Sequence, residues 1–321
     1  MGSEMCIRDS ICTGWLVCPV DTVVATRCDG NDRSMGEQGS TQAGSGPQRM
    51  SQDQSLDAVK TASVIGEPAR SDVDADHGTL LYMEGVNVSF DGFKAINDLN
   101  FYVNDGELRC VIGPNGAGKT TMMDIITGKT RPDSGSVWFG QTINLTKMSE
   151  PQVAEAGIGR KFQKPTVFEV LSVRENLEIS AQGDRSPWSM LRYPISVEQR
   201  ERVETIAGVI ALQNHLSADA SRLSHGQKQW LEIGMLLMQN PRLLLVDEPV
   251  AGMTHQEMDK TGELLTDLAG QHTVVVVEHD MDFVRSLNSR VTVLHQGHVL
   301  AEGSMSDVQN NPEVVRVYLG E

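Results

Sequence analysis

Gly113-Pro114-Asn115-Gly116-Ala117-Gly118-Lys119-Thr120 follows the apolar run 108–112 and opens the helix-like run 121–127. The stretch therefore reads strand, glycine loop, helix. Two glycines at a fixed separation, followed directly by Lys and Thr, form the phosphate-binding loop pattern. Glycines let successive backbone N–H groups curl around a phosphate chain, because no Cβ blocks the approach. The helix that follows brings the positive end of its dipole to the same place. Lys119 supplies a point charge near the β- and γ-phosphates, the Thr120 hydroxyl is placed to ligate Mg²⁺, and Thr121 beside it belongs to the same ATP site. A chance glycine-rich turn would match this pattern on the order of once in a hundred such sequences. The strand and helix on either side argue against that accident.

The 321 residues suffice for one large α/β domain or two smaller ones. A formal net charge of −16, from 43 acidic and 27 basic residues, disfavours nucleic acid as the main partner, since phosphate neutralisation needs a basic footprint. The longest apolar runs, such as 243–246 and 274–277, have the length of buried strands and fall far short of a membrane span. Work at a membrane would then go through partner subunits. Of the five cysteines, Cys6, Cys12, Cys18 and Cys28 crowd the first 28 residues, and Cys110 stands apart. Their spacing fits no compact zinc site, and the lopsided set suits a reducing cytoplasm.

Residues 1–78 differ from the rest: rich in Gly, Ser, Gln and Asp, without a sustained period, they read as a disordered or non-native extension. The opening ten residues resemble translated adapter sequence, so an internal start at Met35 or Met50 is expected. From residue 79 the chain turns orderly. Segments 80–90, 95–103 and 107–112 predict an antiparallel strand group feeding the phosphate loop, and 136–139 adds a strand. Residues from about 165 to 222 read as a helical subdomain, with a break at 183–194 that carries Trp188. Helix 226–239, strand 243–246, helix 256–269 and strand 273–277 follow, then short strands at 291–294 and 298–301. This βα alternation predicts a parallel sheet with helices on both faces.

Leu243-Leu244-Leu245-Val246-Asp247-Glu248-Pro249 is an apolar strand ending in two acids. At the carboxyl end of a parallel strand, Asp247 would sit beside the phosphate loop and hold Mg²⁺, while Glu248 could polarise a water. Standing alone, the pair would be an acidic surface turn. In Leu223-Ser224-His225-Gly226-Gln227, Ser224 can cap the next helix and the first N–H groups can bind an anion. A plain N-cap accounts for the same residues.

The order phosphate loop, Gln163, the 223–227 block, Asp247-Glu248 and His279 in Glu278-His279-Asp280 resembles that of ABC-transporter ATP-binding subunits, from about residue 80 onward. The resemblance implies the P-loop ABC-ATPase fold, with a parallel-sheet core, an antiparallel subdomain and a helical insertion. It implies a head-to-tail dimer with two ATP molecules between the subunits. Lys119 and the loop amides would bind phosphate, and Thr120, Gln163 and Asp247 would manage Mg²⁺. Glu248 would be the general base and His279 would contact the γ-phosphate. Ser224, Gly226 and Gln227 would reach the ATP of the opposite subunit, and Phe90 would stack the adenine, unless it is simply a core aromatic. His225 departs from the family's usual glycine.

Pro249-Val250-Ala251-Gly252-Met253 is similar to the branched-chain amino acid uptake family. Stretches 81–86, 121–130 and 317–321 resemble the urea-transporting members. The expectation is the cytoplasmic, membrane-peripheral motor of a bacterial importer of urea or a short amide. Permease subunits, a second ATPase subunit and a periplasmic binding protein would be its partners. An importer of branched-chain amino acids is the alternative. A soluble ABC ATPase of translation or DNA repair, and a small-molecule kinase, are more distant ones.

Overall fold

A computed structural model of the chain describes residues 78–161, 166–181 and 196–319. The N-terminal extension with its four cysteines, Gln163 and the break with Trp188 lie outside the described residues.

Strands β1 (Thr79–Phe90) and β2 (Phe93–Asn104) form a hairpin whose tip is Asp91-Gly92. Both tip residues have positive φ, the geometry that Asp-Gly supplies in a two-residue turn. Strand β4 (Ser134–Phe139) pairs antiparallel on the other side of β1, and β5 (Ile143–Asn144) closes the edge, giving the order β2-β1-β4-β5.

Strand β3 (Leu108–Ile112) departs from the sequence expectation. It belongs to a second, six-stranded sheet and lies parallel between β8 (Thr273–Val277) and β9 (Arg290–His295). Burial explains the difference. Cys110 and Ile112 enter one hydrophobic core and Val111 the other, so both faces of β3 are covered. β2 buries only part of its length, and a strand covered on both faces is the parallel-sheet pattern. The second sheet runs β10-β9-β3-β8-β7-β6, with β6 (Ile158–Lys161), β7 (Leu243–Asp247) and an antiparallel edge strand β10 (His298–Gly303). β6 had no sequence signal, since Gly159, Arg160 and Lys161 break any apolar pattern.

Alternation along these strands divides two cores. Leu243, Leu245, Val275 and Val277 pack with Met122 and Met123 of helix α1 (Lys119–Ile126) and with the antiparallel sheet. Leu244, Val246, Val274 and Val276 face the opposite layer of helices. Full burial of each such side chain contributes about 1.5–3 kcal/mol.

After α2 (Glu150–Glu155), the helical block begins at α3 (Val173–Ser180), later than expected, because residues 166–172 are not helical. α4 (Val197–Val209) and α3 pack on α5 (His225–Leu237) around Gly234, where a Cβ would stand 2.6 Å from Ile210 Cδ1. α6 (His255–Leu268), α7 (Met281–Ser286), α8 (Met305–Gln309) and α9 (Pro312–Leu319) complete the described chain. Among the described residues, no helix is long and apolar enough to cross a membrane.

Candidate functional site

The glycine loop joins β3 to α1, and its sterics come from distant strands. A Cβ on Gly113 would lie 2.3 Å from the Leu294 carbonyl oxygen of β9. Gly118, at φ 102°, starts α1, and a Cβ there would lie 2.8 Å from the Ala95 carbonyl oxygen of β2. Any side chain at either position would force backbone apart. Lys119 Nζ donates to the carbonyls of Gly113 at 2.6 Å and Pro114 at 3.1 Å, closing the loop over itself. Burial lowers the Lys119 pKa, and Glu248 and Asp247 pull it back up.

An open cleft of about 340 Å³ collects Phe90, Phe93, Ala95, residues 115–121, Asp247, Glu248 and Val277. Phe90 and Phe93 flank the hairpin tip and are both exposed, 49% and 66%. The sequence reading singled out Phe90 alone. The Asp-Gly turn could have pointed to both, since it sets them opposite each other.

Asp247 ends β7 almost fully buried. Burial raises its pKa, the Arg160 guanidinium lowers it and Glu248 raises it again. Arg160 bonds Asp124 of α1 through Nη1, and its Nη2 lies 3.5 Å from Asp247. One buried cation therefore links the helix after the phosphate loop to the acid facing it. Glu248 has φ 46°, a left-handed conformation that costs a non-glycine residue about 1–3 kcal/mol. Its N–H donates to the Val277 carbonyl at 2.9 Å, fixing the carboxylate at the mouth of the sheet.

His279 Nδ1 stands 3.7 Å from Glu248 Oε1 and 3.7 Å from Glu278 Oε2. Glu278 is buried and accepts from the N–H groups of Val250 at 3.2 Å and His279 at 2.9 Å. Burial raises its pKa against those hydrogen bonds. Arg160 and Glu278 were missed from sequence. Arg160 lies on the unrecognised β6, and Glu278 is distinguished only by its burial.

Ser224, Gly226 and Gln227 do not line the cleft. Ser224 caps α5, accepting from Gln227 N–H at 3.2 Å, while the Gln227 side chain accepts from Ser224 N–H at 3.0 Å. His225 Nε2 lies 3.0 Å from Gln229 Nε2, which also donates to the Ala251 carbonyl at 3.3 Å. Gln229, in contact with both, ties the start of α5 to the loop after Glu248. Further along α5, Trp230 Nε1 donates to Thr261 Oγ1 of α6 at 2.8 Å.

The ABC transporter family model matches residues 96–251, and the Branched-chain amino acid ATP-binding cassette transporter model matches 298–321. The chain is 34% identical over 251 residues to the high-affinity branched-chain amino acid transport ATP-binding protein LivG of Escherichia coli strain K12, covering 75% of this chain and 98% of that one. An ATP-binding cassette of an ABC transporter solved in its ADP conformation matches with TM-score 0.66 and 32% identity, over 76% of this chain and 99% of the other. A bacterial ABC transporter cassette solved as a dimer matches with TM-score 0.59 and 25% identity, over 70% and 99%. With the cassette fold, the phosphate loop and these likenesses together, the chain belongs to the ABC transporter ATP-binding subunits of the branched-chain amino acid family, which are ATPases.

Proposed function

We propose that the chain is the motor subunit of a bacterial importer. It would hydrolyse ATP on the cytoplasmic face of the plasma membrane, with permease subunits, a second ATPase subunit and, indirectly, a periplasmic substrate-binding protein. In this reading the ATPase domain runs from residue 79 to 321, and α3 and α4 belong to its helical subdomain. The observation that carries the reading is the split between two sets of residues. Lys119, Asp247 and Glu248 share one cleft, while Ser224, Gly226 and Gln227 lie outside it. The second set has no part in that cleft and is assigned to the ATP of an opposite subunit.

In this reading the N–H groups of Gly113, Asn115, Gly116, Ala117, Gly118 and Thr121 surround the phosphates, and Pro114, which has no N–H, shapes the loop. Lys119 Nζ exchanges its two carbonyl acceptors for phosphate oxygens. Phe90 offers its ring to the adenine, with Phe93 beside it. Thr120 and Asp247, joined by Gln163, would hold Mg²⁺. This set fits the ion, because Mg²⁺ takes one or two protein oxygens and completes its shell from phosphates and water. When bound, the ion neutralises charge on the β- and γ-phosphates. Glu248 orients the attacking water and takes its proton, and His279, beside Glu248, reaches the γ-phosphate.

For cargo, branched-chain amino acids are the first reading, supported by the relatives and by the C-terminal family match. Urea or a short amide is the second, favoured by the text of residues 81–86, 121–130 and 317–321. Reconstitution with the permease subunits tests both: leucine uptake without urea uptake sustains the first, and the reverse sustains the second. In the same system Glu248→Gln should bind ATP, trap a closed dimer and lose about 10²–10³ in turnover. Retained turnover would remove the general-base role.

A further inference from the structure

The hydroxyl assigned to a neighbour's γ-phosphate already carries an anion. Ser224 Oγ donates to Glu257 Oε1 at 2.8 Å. That same oxygen lies 2.6 Å from where a Cβ on Gly226 would stand, so the carboxylate rests against the Gly226 backbone. Its other oxygen accepts from Thr254 N–H and Thr254 Oγ1, both at 3.0 Å, in the capping box that starts α6. One carboxylate therefore joins the beginnings of α5 and α6. The Thr254 N–H and then the Ser224 hydroxyl hold the Glu257 pKa below the usual carboxylate value, so it is charged at neutral pH.

A serine hydroxyl has one proton to donate. It cannot serve a carboxylate and a phosphate oxygen together, and two anions at that distance repel each other. We propose that Glu257 gates the ATP contact between subunits: its carboxylate occupies Ser224 and the face of Gly226, and it must turn away before the γ-phosphate of the opposite subunit docks. The gate rests on the assignment of Ser224 and Gly226 to that phosphate. Thr254 is its resting place, because a carboxylate that leaves Ser224 keeps its bonds to the α6 cap. Glu257 is thus a positioning residue that sets the ATP level at which the two subunits engage.

Glu257→Gln keeps the shape and the cap, since Gln serves a capping box as Glu does, and removes the charge. In the full chain purified with its transporter partners, the ATP concentration for half-maximal turnover should fall about three- to fivefold. kcat and the thermal unfolding midpoint should not change. Ser224→Ala in the same preparation should raise the half-maximal concentration. If Glu257→Gln leaves that concentration unaltered while Ser224→Ala is impaired, the gate is overturned and the contact between subunits stands. If Ser224→Ala equals the wild type at every ATP concentration, both fall together. A lowered unfolding midpoint in Glu257→Gln with unaltered ATP dependence would reduce Glu257 to a helix cap, and also overturns the gate.

Discussion

The helix after the phosphate loop begins at Gly118 with no side-chain cap, whereas the helix after Ser224 begins with a complete capping box and a carboxylate laid over it. Both are helix N-termini suited to an anion. The first is made by contiguous backbone, shaped by what its glycines exclude. The second is made by side chains from α5, α6 and the loop between β7 and α6. Backbone made from adjacent residues leaves its N–H groups available to a ligand. An end made from distant side chains satisfies its own groups first, and a ligand must compete.

The largest effect expected on this contrast is at Trp230, which fixes the side-chain-built end to α6. Trp230→Ala should lower stability by about 3–5 kcal/mol in denaturant unfolding. Trp230→Phe, which loses the bond to Thr261, should lower it by about 1 kcal/mol. A small loss in both would mean that the Ser224 end does not depend on α6. Next comes Lys119→Ala, at the backbone-built end. Turnover should drop about 10²–10³, roughly 3–4 kcal/mol, with little change in the unfolding midpoint. A collapse in stability would show instead that the bonds from Lys119 to Gly113 and Pro114 hold the loop together. The smallest effect separates strain from chemistry at Glu248. Glu248→Gly and Glu248→Ala both lack the carboxylate, yet the glycine variant should be the more stable by about 1 kcal/mol, because only glycine adopts φ 46° without cost. Equal midpoints would remove the strain.

The same contrast explains what could be read before the fold was known. Gly113, Gly118, Lys119 and Thr120 were legible because their spacing is itself the mechanism. Asp247 and Glu248 were legible because they end an apolar run. The courses of β7 and β8 followed from their own apolar runs, since a strand covered on both faces is uniformly apolar. β3 was assigned to the wrong sheet, because a short apolar strand carries no mark of its partners. Arg160 and Glu278 could not be found, as a lone charge in sequence does not announce its burial. Glu257 was hidden for a different reason. Its spacing to Thr254 marks a helix cap, and nothing local reveals that one oxygen is left to reach Ser224, thirty-three residues away.

Glu278 has a consequence for motion. Its carboxylate receives Val250 N–H with one oxygen and His279 N–H with the other, joining segments that lie twenty-eight residues and one residue from it. The loop after Glu248 and the loop bearing His279 are therefore a single mechanical part. Gln229 grips the same loop through the Ala251 carbonyl, from the start of α5. Residues 250–253 are therefore linked to His279 by protein bonds alone, along a route that does not include the nucleotide cleft.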